Sequence, residues 1–247
     1  MYFLGCDTST LQGEVALFKN DNLLYKKSWF RHGSHSDVIN EAIQNCLDSE
    51  NLKLENIHVY CTGIGPGSFT GIRIAYNSMK TWGAFFNKPV IGINSLINIA
   101  NANRNCLSKS NAEEVLVIIN AFKNMVYAEK FKIKKNDNKT IELISIFPPS
   151  VIRVQEISKS INNNTILIGD GYLNYQNYLS NQVNFPLLRL DNGIDYCSAE
   201  SLVQLAYQQF LLNPERFKNF DWNQNLPLYL RASEAEENLN GIKYKSL

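Results

Sequence analysis

The chain of 247 residues is short of several residue types that carry chemistry or targeting. It has three histidines, His32, His35 and His58, and none stands at the H-x-x-x-H or H-E-x-x-H spacing of a helical zinc site. His32 and His35 fall three apart at a helix start, where capping or surface use is the ordinary role. Its five cysteines, Cys6, Cys46, Cys61, Cys106 and Cys197, are odd in number, scattered and free of C-x-x-C spacing. That is the pattern of reduced, mostly buried thiols, not of a disulfide frame or a zinc site. No apolar run approaches the roughly 20 residues of a membrane helix. The opening Met1-Tyr2-Phe3-Leu4-Gly5-Cys6 has no basic stretch and too short an apolar one for a secretory signal. Charge is scarce and balanced, 24 Lys+Arg against 23 Asp+Glu, so a protein that grips nucleic acid by itself is not expected. A soluble, cytoplasmic chain is the expectation.

What is present is a patterned core. At 45% hydrophobic residues and this length, one large domain or two small ones are expected. Short apolar runs at 2–7, 14–19 and 23–30 predict three antiparallel strands. Residues 36–48 carry Val38, Ile39, Ala42, Ile43, Cys46 and Leu47 at helical spacing, with Ser34 or Ser36 as cap. A strand at 57–63, a glycine-rich turn, a helix at 69–86, a strand at 89–93 and a helix at 95–106 follow. The order then recurs: strands at 115–120, 126–133 and 141–147, a helix at 154–161, a strand at 165–169, a helix at 172–180, a strand at 186–190 and a helix at 199–212. Two lobes are therefore predicted, each a mixed sheet covered by helices. The first spans 1–106, the second 107–231, and 232–247 is a loosely held tail.

The most informative stretch is Gly63-Ile64-Gly65-Pro66-Gly67-Ser68-Phe69-Thr70-Gly71-Ile72-Arg73, set between a strand and a helix. It is neither a Walker A loop, a nucleophile elbow nor a full dinucleotide fingerprint, because the required spacings are absent. Two readings stand side by side. Gly65, Gly67, Ser68 and Thr70 could face an anion at the helix N-terminus, or form a tight turn with Ser68 as N-cap. Arg73 favours a functional role, since a cation in the first helical turn opposes the helix dipole and needs a partner to offset it.

Asp7-Thr8 ends the first strand. Its acid is either a metal–phosphate residue of a nucleotide-binding fold or part of a turn that satisfies its own backbone. The matching position of the second lobe is Asn120, a poor ligand for a hard metal and no general base, so the acid pair of ATP chemistry is broken. In the helix after the glycine turn, Ile72, Ala75, Met79, Trp82 and Phe86 share a core-facing stripe. Ile74, Tyr76 and Phe85 add apolar surface beyond it. For Tyr76, Lys80 and the outer positions of the first helix, a partner interface competes with core packing.

Taken with His35-Ser36-Asp37 and Pro227-Leu228-Tyr229-Leu230-Arg231, these motifs resemble the TsaB (YeaZ) family of bacterial tRNA threonylcarbamoyladenosine biosynthesis proteins. The resemblance spans nearly the whole chain and implies an actin-like ASKHA fold, related to ribonuclease H. It further implies a non-catalytic role without a cofactor of its own. The implied partner is a TsaD-like catalytic subunit, which transfers threonylcarbamoyl to N6 of the adenosine beside the anticodon. Pairing would use the first two helices, through His35, Val38, Ile39, Ala42, Ile72, Tyr76, Met79 and Lys80. It would permit docking of a TsaE-like ATPase, with tRNA met only through the complex and a homodimer left open where the partner is absent. One stretch departs from the family: Asn120-Ala121-Phe122-Lys123-Asn124-Met125-Val126-Tyr127 replaces an Asp-Ala-Arg-Met-Gly-Glu-Val-Tyr-like string. A stand-alone ASKHA kinase or ATPase built on Asp7 and the glycine turn is the alternative, and a peptidase, lacking a nucleophile set, ranks behind it.

Overall fold

The computed structural model describes residues 1–30, 34–136, 140–217, 226–232, 236 and 239. Apart from residues 232, 236 and 239, the expected tail at 232–247 lies outside the described residues, as does His32. The chain divides into two compact units, one of Met1–Asn98 with Cys197–Leu228 and the other of Ile99–Tyr196 with Tyr229–Leu247.

The first unit holds a five-stranded sheet of β1 (Tyr2–Asp7), β2 (Gln12–Lys19), β3 (Asn22–Phe30), β4 (Val59–Gly65) and β5 (Val90–Asn94), in the order β3-β2-β1-β4-β5. β1 pairs antiparallel with β2 and parallel with β4. Alternation along β1 decides which face each residue serves. Leu4 and Cys6 join Val15 and Leu17 against Ile39, Ile43 and Leu47 of α1 (Ser36–Asp48) and Ala75 and Met79 of α2 (Phe69–Phe85). Phe3 points the other way and joins Ala16, Phe18, Val59 and Ile91 against Ala199, Leu202, Val203 and Ala206 of α6 (Ala199–Leu212). The helix at 199–212, assigned from sequence to the second lobe, thus belongs to the first, and the expected spans 1–106 and 107–231 are corrected accordingly. The reason is physical: the back of this sheet is apolar, and α6 is the helix whose small-residue stripe covers it.

Two short helices follow β5 in the chain. α3 (Ser95–Ala102) and α4 (Arg104–Lys109) replace the single helix expected at 95–106. They part at Asn103, whose side-chain amide donates to the carbonyls of Ile99 at 2.9 Å and Ile194 at 2.8 Å. An asparagine that binds the backbone this way ends a helix rather than continuing it.

The second unit holds a four-stranded sheet in the order β8-β7-β6-β9, formed by β6 (Glu114–Asn120), β7 (Met125–Lys135), β8 (Ile141–Arg153) and β9 (Thr165–Ile168). The pairings repeat those of the first sheet, with β6 antiparallel to β7 and parallel to β9. Leu116, Ile118, Val126 and Ala128 pack with Leu167 and with Leu179 of α5 (Asp170–Ser180). The helix expected at 154–161 is a 3-10 segment, Val154–Ser160, and β8 runs on to Arg153. The strand expected at 186–190 is a single bridge between Leu188 and Ile166. Pro186 has no N–H to extend it, and Arg189 turns aside to Asp195. Among the described residues no helix is long and apolar enough to cross a membrane. All five cysteines are free, and all but Cys106 are buried.

Candidate functional site: the glycine turn and the groove between two helices

At the end of β1 the chain turns through Asp7, Thr8, Ser9 and Thr10, all of them buried. Asp7 Oδ1 accepts from the Ser9 N–H at 2.8 Å and from the Ser9 hydroxyl at 2.6 Å. Its Oδ2 accepts from Asn98 Nδ2 at 3.3 Å. Burial raises the Asp7 pKa, and the hydrogen bonds from Ser9 and Asn98 oppose that shift. No cation is needed to explain this carboxylate: three donors hold it.

The glycines of the following turn are explained by what they touch. A Cβ at Gly63 would overlap the Asp7 carboxylate, one at Gly67 the Ser9 carbonyl oxygen, and one at Gly71 the Thr8 carbonyl oxygen. Gly65 adopts φ +89°, in the region that side chains disfavour, and its free side is taken by Ile72 and the Leu228 carbonyl. The Leu228 N–H donates to the Ile64 carbonyl at 2.7 Å, so the motif near the chain's end seals the turn from outside. Ser68 is the N-cap of α2, its hydroxyl accepting from the Gly71 N–H at 3.2 Å.

An actin-like fold implies Mg-nucleotide at this corner, and the residues present do not fit it. The Asp7 oxygens are engaged internally, and the backbone that would approach a phosphate packs instead on Thr8 and Ser9. Among the described residues, no group of three or more His, Cys, Asp or Glu could hold a metal ion. The anion reading of Asp7, Thr8, Gly65, Gly67 and Ser68 is corrected to the turn reading. In the second unit Asn120 is likewise spent locally: its side-chain oxygen accepts from the Phe122 N–H at 2.9 Å, and its own N–H donates to Asp170 Oδ1 at 2.8 Å. Burial lifts Asp170 to about 6, a shift to which the nearby Asp195 adds.

Thr70 and Arg73 have another place. They line a groove of about 450 Å³ between α1 and α2, together with Ser36, Ile39, Asn40, Phe69, Ile74, Asn77 and Ser78. The Arg73 guanidinium lies 3.9 Å from the centre of the Phe69 ring. Such a contact is worth about 0.5–1 kcal/mol at an exposed site, and because α2 starts at Phe69, Arg73 lies past the first turn expected for it, where the helix dipole has fallen off. The groove has an apolar floor at Ile39 and Ile74 and a polar rim of amide, hydroxyl and guanidinium groups.

The structure sorts the residues expected at a partner interface. Ala42, Ile72, Tyr76 and Met79 are buried in the first unit, and Ile39 shows only its edge to the groove floor. Val38 and Lys80 are half-buried, with the Lys80 ammonium 5.5 Å from the Tyr76 ring centre. His35 is buried too: Nδ1 accepts from Trp29 Nε1 at 3.1 Å, which leaves Nε2–H to donate to the Thr10 carbonyl at 2.9 Å. These buried residues shape the helices from within, and a partner would meet the outer positions instead. Phe69, Asn40, Asn77 and Ser78 were not singled out in the sequence. Asn77 had a signal in the polar row at 70, 73, 77 and 81, opposite the apolar stripe of α2; the other three had none.

Two mixed sheets with the same strand order through their first four strands, each flanked by helices, define an actin-like ASKHA, ribonuclease H-like α/β protein. The family model of TsaD, tRNA N6-adenosine threonylcarbamoyltransferase, matches residues 31–239. TsaB of Escherichia coli (strain K12), a tRNA threonylcarbamoyladenosine biosynthesis protein, is 26% identical over 242 residues, which is 98% of this chain and 99% of that relative. Among solved structures, a Pseudomonas aeruginosa protein described as similar to the peptidase YeaZ is 23% identical with a TM-score of 0.73, covering 93% of this chain and 99% of its own. YeaZ from Pseudomonas aeruginosa is 22% identical with a TM-score of 0.71 over the same shares. The chain belongs to the TsaD family, and within it is similar over nearly its whole length to TsaB proteins.

Proposed function

We propose that this chain is a non-catalytic subunit of tRNA threonylcarbamoyladenosine biosynthesis, and that it presents the α1–α2 groove to a TsaD-like catalytic subunit. One observation carries the reading. The polar corner at Asp7 is wholly occupied by the chain's own hydrogen bonds, while the groove beside it is open, apolar at its floor and polar at its rim. That composition is what a protein interface requires. The chain uses no cofactor of its own, and the ATP of the pathway is consumed by a TsaE-like ATPase that joins the pair. Transfer RNA is met through the catalytic subunit, in keeping with a net charge of +1. The setting is the cytoplasm.

Reconstitution tests the reading. Threonylcarbamoyl formation on tRNA by the TsaD-like and TsaE-like proteins of the same organism should drop to background when this chain is omitted, and the chain should co-purify with the TsaD-like protein. Undiminished formation without it, or threonylcarbamoyl transfer by this chain alone, would overturn the proposal.

A further inference from the structure

We propose that the turn at residues 7–10 is the common anchor of both groove walls, with Thr8 as the positioning residue for α2; the inference rests on the groove being the partner site. Three hydrogen bonds tie the turn to α2. The Ser68 N–H donates to the Ser9 carbonyl at 2.7 Å. The Thr8 hydroxyl donates to the Gly71 carbonyl at 2.6 Å and accepts from the Ala75 N–H at 3.2 Å. Gly71 and Ala75 are four apart, the carbonyl and amide that a helix joins in its own ladder, so the Thr8 side chain bridges a backbone pair inside the second turn of α2. A fourth bond ties the same turn to α1, where His35 Nε2 donates to the Thr10 carbonyl at 2.9 Å.

The anchor is itself held. Asp7 gathers the Ser9 N–H and hydroxyl, and the Thr10 hydroxyl donates to the Gln12 carbonyl at 3.1 Å. On the groove side, Ser36 follows His35 directly, Phe69 and Thr70 lie between Ser68 and Gly71, and Arg73 and Ile74 lie between Gly71 and Ala75. These five groove positions thus sit within two residues of a bond to one buried turn. A corner that the fold class assigns to phosphate is used here to fix the spacing of two helices before a partner arrives. Such preorganisation lowers the entropy lost on binding.

The test uses the full chain and the TsaD-like subunit. Thr8→Val keeps the shape and removes the hydroxyl, whereas Thr8→Ser keeps the hydroxyl. By calorimetry, Thr8→Val should weaken pairing by about tenfold, the order expected when a buried hydrogen-bonded group is left unmatched, and Thr8→Ser should stay within about twofold of wild type. Leu202→Ala thins the core on the opposite face of the sheet and should lower Tm without weakening pairing. Wild-type affinity in Thr8→Val, or equal weakening by Leu202→Ala, would overturn the proposal. Amide exchange on the free chain gives a measurement that needs no partner. The Ala75 amide should exchange about tenfold faster in Thr8→Val than in Thr8→Ser or wild type while Met79 is unchanged, and equal protection in all three would overturn the anchor. If the unmodified chain pairs with no TsaD-like protein, the functional reading falls, and the Ala75 measurement still decides the anchor.

Discussion

Gly63 lies against the Asp7 carboxylate so closely that a Cβ at position 63 would overlap Oδ2. Neither side can yield, because β4 pairs with β1 and β5 and the carboxylate is held by Ser9 and Asn98. Gly63→Ala should therefore destabilise the chain by about 1–3 kcal/mol, the usual cost of overpacking. Thermal unfolding checks it, and a variant that melts with wild type would contradict the packing described.

Mg-ATP should give no binding heat with the isolated chain in a calorimeter. The physical reason is occupancy: the Asp7 oxygens and the turn backbone already have partners inside the protein. Binding that disappears in Asp7→Ala would instead favour a stand-alone nucleotide enzyme.

Groove and core substitutions should separate cleanly. Asn77 is exposed on the groove rim, so Asn77→Arg should weaken pairing with the TsaD-like subunit by about tenfold or more while Tm stays within a degree or two. Met79 is fully buried beside Ala75 and Leu4, so Met79→Asp should abolish folding altogether. Pairing measured by calorimetry and folding by circular dichroism distinguish the two; loss of fold in Asn77→Arg would be the damaging result.

Glu129 gives the stability a pH dependence. It is buried on β7, one carboxyl oxygen accepts from the Ser145 hydroxyl at 2.9 Å, and the other has no hydrogen-bond partner among the described residues. Burial lifts its pKa from 4.5 to about 7. A raised acid stabilises the fold when protonated: its contribution is full below about 4.5 and is lost as pH climbs through about 7. Glu129→Gln should remove this slope and raise stability at pH 8, by on the order of 1–3 kcal/mol. Denaturant melts at about pH 5.5, inside that window, and at about pH 8, above it, would show the slope. A slope unchanged by Glu129→Gln would assign the effect elsewhere, with Asp170 the next acid to try.

Much of the fold was legible because its elements carry their own punctuation. The alternation in β1 and β2, the apolar spacing in α1 and α2, and Ser68 ahead of a helix all lie within a few residues of one another. What was hidden was long-range. No local pattern tells that α6 covers Phe3 and Phe18 rather than the sheet next to it in sequence. Nor can a sequence distinguish glycines that admit a phosphate from glycines that admit the Thr8–Ser9 backbone. Both require the missing Cβ, and the partner decides. His35 was read as surface because histidine at a helix start usually is, whereas Trp29 and the Thr10 carbonyl claim both of its nitrogens.

The placement of α6 also orders events during synthesis. The first sheet can gather α1 and α2 as soon as those residues emerge, but its other face, with Phe3, Phe18, Val59 and Ile91, has no cover until residue 212 has left the ribosome. Nearly a hundred residues of the second unit are made in the interval. A nascent or truncated chain ending near residue 106 would carry that apolar face bare, and is a substrate for chaperones rather than a smaller version of the protein.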